Sequence, residues 1–174
     1  SSEIAKMGSD TVVIFFSDTE TVTATVSATK EAIGVSIVTA NEATPDRTPV
    51  TLGKASNLEE GEEIYLFGYD NYSELTPQDV SYRKGLVLNT AEPIDDVDYL
   101  VIGCANDFVC LGSPVVTLDG HVVGINISKN AQKGMLYILP LDASVENSVE
   151  SAATDQGSIL ILIGGLAVVG LIIG

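Results

Sequence analysis

Short runs rich in apolar residues recur along the chain at residues 11–16, 21–27, 33–38, 63–67, 85–88, 99–102, 114–117, 121–127 and 135–139. Val, Ile and Thr dominate them, and turn-forming groups separate them, which predicts β-strands rather than helices. Asp119-Gly120 between two such runs is a strong hairpin signal. Strands at this spacing, without long helices alternating between them, favour a barrel or sandwich over a parallel α/β sheet. One short helix is predicted at residues 141–151, where Asp142 can cap the first turn and Glu146 lies early in the helix.

Residues 158–174 read SILILIGGLAVVGLIIG, with no charge anywhere and no polar face at the helical period. That pattern predicts a C-terminal transmembrane helix at the short end of the usual length. Gly170 and Gly174 form a G-x-x-x-G step that would let a partner helix approach closely. A cleaved lipid-anchor signal is the weaker alternative, because the polar spacer after the small residues 151–153 is short. The chain has no Lys or Arg after Gly134, so basic residues cannot orient a span.

The 174 residues carry 24 acidic against 8 basic side chains, a formal charge of −16. Such a surface is repelled by phosphate backbones, which excludes nucleic acid as a partner. Acidic groups cluster at residues 59–63 and 95–98, where charge runs normally form solvated surface, and no metal site is expected there. Cys104 and Cys110 could close a disulfide loop in an oxidising compartment or remain as two buried thiols. With a single histidine, His121, in another segment, they make no zinc signature, and no cofactor is expected. Asn71 and Asn126 each begin a glycosylation triplet, a pattern that arises by chance in most chains of this size.

Three segments carry a family resemblance. LGKASNLEEGEEIYLFG at residues 52–68 resembles the LGxSxxLxxGxxVxxxG that opens the second barrel of trypsin-like serine proteases of the HtrA/Deg type. PVVTLDGHVVGIN at residues 114–126 is similar to the family's hairpin after the nucleophile, and YILPLD at residues 137–142 to the FAIPID leading into its terminal helix. The resemblance covers residues 24–151. It implies a mainly β, trypsin-like β-barrel chain with the second barrel complete and the first half shortened or missing. The expected organisation is a partial first β half over 1–48, the second barrel and its helix over 49–151, a linker over 152–157 and the membrane helix over 158–174.

Family chemistry requires a serine activated by a histidine, a carboxylate behind that histidine, and backbone amides facing the oxyanion. An ungapped overlay of the family's nucleophile turn on residues 103–114 puts Leu111 at the serine position and Val109 at the oxyanion glycine. A second overlay, over residues 24–38, puts Gly34 at the triad aspartate, and no histidine precedes His121. Leucine has no lone pair to attack with and no proton to give up. The resemblance therefore implies a pseudoprotease: a membrane-anchored, extracytoplasmic binding or accessory subunit with no catalytic residues. Its binding groove would be formed by Val109, Cys110, Leu111, Gly112, Ser113 and His121, and a partner would engage the membrane helix or an exposed strand edge. The alternatives are a membrane-bound peptidase that uses Ser113 or Cys110 as a displaced nucleophile with His121 as base, and a purely structural envelope or assembly module.

Overall fold

A computed structural model describes residues 11–15, 20–30, 35–42, 48, 50–68, 81–104, 111–127, 134–141, 159–163 and 171–173. Its contacts divide the chain into two compact units, one of residues 1–50, 71–78 and 147–174, the other of residues 51–70 and 79–146.

The second unit contains a closed antiparallel barrel. Its strands are β4 (Glu63–Gly68), β5 (Ser81–Ile94), β6 (Val97–Gly103), β7 (Pro114–Thr117), β8 (Val122–Asn126) and β9 (Met135–Pro140). They run around the wall in the order β4-β5-β6-β9-β8-β7, and β7 returns to β4 to close it. Alternation along each strand sends every second residue inward. Ile64, Leu66, Val87, Leu100, Ile102, Val115, Val123, Leu136 and Ile138 accordingly form one buried cluster, joined by Leu58. Leu58 follows a single 3-10 turn at Ala55–Asn57, in the first family-like segment.

Asp95 and Asp96 connect β5 to β6 with φ of 49° and 64°, the left-handed pair that a two-residue hairpin of primed type requires. Half of the second acidic cluster is thereby a turn. In the first cluster, Glu62 Oε2 accepts a hydrogen bond from the Glu59 backbone N–H at 3.0 Å, and Glu63 faces Lys84 at 2.6 Å.

The first unit is an open antiparallel sheet. Its strands are β1 (Thr11–Phe15), β2 (Thr21–Lys30), β3 (Val35–Ala40), β10 (Ile159–Ile163) and β11 (Leu171–Ile173), and they lie in the order β1-β2-β3-β10-β11. On β2, Ala24 is fully buried while Thr21, Thr23, Thr25 and Ser27 are exposed. These polar groups meet their neighbours from β3 and just beyond it: Thr25 donates to Asn41 Oδ1 at 2.7 Å, and the Ser27 and Thr39 hydroxyls lie 2.5 Å apart. β3 differs, because the consecutive residues Val35, Ser36, Ile37 and Val38 are all buried.

The expected C-terminal helix is corrected here. Residues 159–163 and 171–173 are strands, paired with each other and, through β10, with β3. Among the described residues no helix is long and apolar enough to cross a membrane. The physical reason lies in composition and in an available edge. Ile-rich residues suit a pleated strand, the adjacent Gly164-Gly165 weakens a helix by about 1 kcal/mol per glycine, and β3 offers unpaired backbone groups to a new neighbour. Of the short helix expected at residues 141–151, all but Leu141 lies outside the described residues, as do Gly34, Gly170 and Gly174.

Candidate functional site

The β7–β8 hairpin carries the family-like nucleophile turn at one end and His121 at the other. At the first end, the ladder runs on past β7. Asn126 N–H donates to Ser113 O at 2.9 Å, and Gly112 N–H donates to Asn126 O at 2.8 Å. Gly112 has φ +82°, a conformation that favours glycine, and it turns the chain from Leu111 into the strand. Leu111 is half-buried, whereas Ser113 is fully buried. Ser113 precedes Val115 by two residues, so alternation points its side chain the same way, into the barrel. Its Oγ has no hydrogen-bond partner.

The opposite end is a polar turn. Thr117 N–H donates to His121 O at 2.9 Å, Gly120 N–H donates to Thr117 O at 3.0 Å, and Gly120 takes φ +87°. His121 Nδ1 lies 2.7 Å from Asp119 Oδ2, and His121 N–H donates to Thr117 Oγ1 at 3.1 Å. The Thr117 hydroxyl has one proton and two acceptors within reach, Asp119 Oδ1 and His121 O. The carboxylate, being charged, is the stronger acceptor. That hydroxyl holds the Asp119 carboxyl below the usual aspartate range; partial desolvation opposes the shift, and the His121 contact adds to it.

This Asp–His pair has the arrangement of an oriented imidazole, with a carboxylate fixing one ring nitrogen. Ser113 does not stand beside it. Ser113 and Thr117 are four residues apart on an extended strand, about 13 Å at roughly 3.3 Å per residue. The structure therefore brings Leu111, Gly112 and Ser113 together at one end of the hairpin and leaves His121 at the other. Of the remaining groove residues, Val109 and Cys110 lie outside the described residues. So does one half of the expected disulfide, whose other member, Cys104, packs half-buried against the core with Sγ 3.8 Å from Lys84 O.

Two features of this hairpin were not anticipated from the sequence. Asp119 was read only as a turn residue, yet Thr-x-Asp-x-His places three polar side chains on one tight turn. Gly53 is the second. Residues 51–53 run alongside β8, with Gly53 N–H donating to Val122 O and Val122 N–H to Thr51 O, both at 2.9 Å. A Cβ at Gly53 would stand 3.0 Å from both His121 Cβ and Val123 Cγ1, so a larger residue would require these side chains to give by a few tenths of an ångström. Asn126 is fully buried, which removes its triplet as a glycosylation acceptor in the folded chain.

The family model for the trypsin-like peptidase domain matches residues 3–125. That stretch includes β1 to β3 as well as the barrel through most of β8. Over 93 residues the chain is 29% identical to the mitochondrial serine protease HTRA2 of Bos taurus, a match covering 52% of this chain and 20% of that relative. The chain thus spans one fifth of that protein's length. The barrel's closure through β7 and β4, the glycine turn before β7 and the match over residues 3–125 lead to one conclusion: this chain belongs to the trypsin-like peptidase family.

Proposed function

We propose that this chain is a catalytically inactive trypsin-like domain, anchored to a membrane by its apolar C-terminal segment and serving as a binding or accessory subunit on the extracytoplasmic side. One observation carries the proposal of inactivity. The turn that would present the nucleophile offers a leucine side chain at Leu111, and the hydroxyl two residues on, on Ser113, is fully buried with no base bonded to it. An attacking oxygen needs both access to substrate and a proton acceptor within about 2.6–3.2 Å. The uncharged stretch at residues 158–174 supports the membrane reading through its composition.

The direct test is covalent labelling of the full-length protein with a fluorophosphonate probe and with iodoacetamide, each mapped by peptide sequencing. No fluorophosphonate adduct is expected on the wild type or on Leu111→Ser, because His121 stands at the far end of the hairpin. An adduct on Ser113 that disappears in Ser113→Ala, together with peptide hydrolysis, would overturn the reading in favour of a displaced nucleophile. The accessory role is tested by affinity purification from native membranes in mild detergent, where a stoichiometric partner subunit is expected.

A further inference from the structure

We propose that the apolar C-terminal segment is a two-position strap: docked, it is the strand pair β10–β11 that completes the first unit's sheet on the edge of β3; released, it is the membrane anchor. This rests on the membrane reading above and adds to it a second, mutually exclusive place for the same residues.

Three observations support the docked position. β10 pairs with β3 along its whole length, from Ile159 opposite Thr39 to Ile163 opposite Val35. With β10 in place, the consecutive β3 residues Val35, Ser36, Ile37 and Val38 are all buried, the pattern of an interior strand. The segment that joins it is apolar at every position, ILILI, so it suits a strand neighbour buried in the same way. By contrast β2, on the other side of β3, shows an exposed Thr and Ser face. Strand pairing thus gives the segment a site off the membrane where its backbone is hydrogen-bonded.

The two positions exclude each other. As a helix, the 17 residues 158–174 would rise about 26 Å, close to the roughly 30 Å hydrocarbon core, with every backbone bond internal. As strands, residues 159–163 pair with β3 and residues 159–161 with residues 171–173. Insertion therefore strips β3 of its neighbour and uncovers an edge of the kind that accepts an added strand. Anchoring and exposure of a recruitment edge become one event, a population shift between two arrangements of one sequence.

The test uses the full-length chain with its native cysteines and one engineered pair, Thr39→Cys with Ile159→Cys. These positions are antiparallel partners, whose Cα atoms lie about 4.5–5.5 Å apart, within disulfide range. Thr39→Cys with Leu162→Cys is the control, three residues out of register and about 10 Å away. The specific disulfide is identified by peptide mapping in water and after reconstitution into phosphatidylcholine vesicles isolated by flotation. The expected result is an in-register yield at least about tenfold above the control in water, falling by a similar factor in the vesicle-bound fraction. Amide exchange on wild-type residues 35–40, slow in water and fast on vesicles, gives the same reading without any substitution.

Vesicle binding with no in-register disulfide in water, and with residues 35–40 unprotected there, would overturn the strap and leave the anchor standing. An in-register disulfide in water with no vesicle binding would overturn the anchor and the switch together. Vesicle-bound protein that keeps the disulfide at full yield would also overturn the switch.

Discussion

The two units solve the same problem, the exposed strand edge, in different ways. The barrel closes on itself through β7 and β4, so each of its six strands has a neighbour on both sides, and its core comes from residues between Leu58 and Ile138. The five-stranded sheet does not close. Its β3 acquires a second neighbour only from residues more than a hundred positions away. Closure makes one unit self-sufficient, while the other depends on a remote segment with another possible fate. The family's recognisable motifs from residue 52 onward lie in the self-sufficient unit.

Matched truncations probe that contrast most strongly. Leu100→Ala, at a fully buried barrel position, is expected to cost about 4 kcal/mol, and Ile37→Ala in β3 about 2 kcal/mol, because a closed wall relaxes less around a cavity than an open sheet does. Amide exchange resolves the two units separately, and equal losses would break the comparison. Next in size is Gly124→Ala. An added Cβ would stand 2.5 Å from Ile138 Cγ2 and 2.8 Å from the Leu139 carbonyl oxygen, and backbone cannot step aside in a closed barrel. A destabilisation of about 3 kcal/mol is expected in denaturant melts.

Ser113→Ala should move the other way. A buried hydroxyl without a partner costs on the order of 1–3 kcal/mol, so removing it should raise stability by about 1 kcal/mol. A loss instead would show that Oγ is bonded in solution.

The smallest effect is a titration on the outer wall of the barrel. Tyr65 donates to Glu63 Oε1 at 2.6 Å, and Lys84 Nζ lies 2.6 Å from Glu63 Oε2. The Glu63 bond raises the Tyr65 pKa above its ordinary value of 10.0, and Lys84, through its own bond to Glu63, rises above 10.5. Raised folded values mean that this contribution is complete below the ordinary values and is lost as pH climbs through the folded ones. Glu63 is held low, mainly by the Lys84 bond, so its share is present above 4.5 and lost as pH falls through its depressed value. Ultraviolet titration should show one tyrosine moving to lower pH in Glu63→Gln.

Legibility in the sequence follows the same division. The barrel strands were readable because short Val- and Ile-rich runs stand between turn-forming groups, and the Asp119-Gly120 hairpin because the glycine's φ of +87° is a local demand. Residues 159–163 misled for the opposite reason: with every position apolar, no period separates a strand from a helix, and the choice falls to whatever neighbour is available. The separation of Ser113 from His121 was not legible, since the two residues bracket a strand whose length only the register displays. His121's carboxylate partner was missed because Asp119 has a sufficient local reason to be there.

The sequence by itself determined that the chain is mainly β, that it carries the second-barrel motifs of trypsin-like peptidases, that leucine stands at the overlaid nucleophile position, and that its net charge is −16. These are properties of side-chain type and local period, which need no partner to be expressed. Only the tertiary structure decided that Ser113 is fully buried, that His121 pairs with Asp119 away from it, and that residues 159–163 form a strand on β3. Each of those is a relation between residues distant along the chain or in register, and burial and register exist only once the sheets have formed.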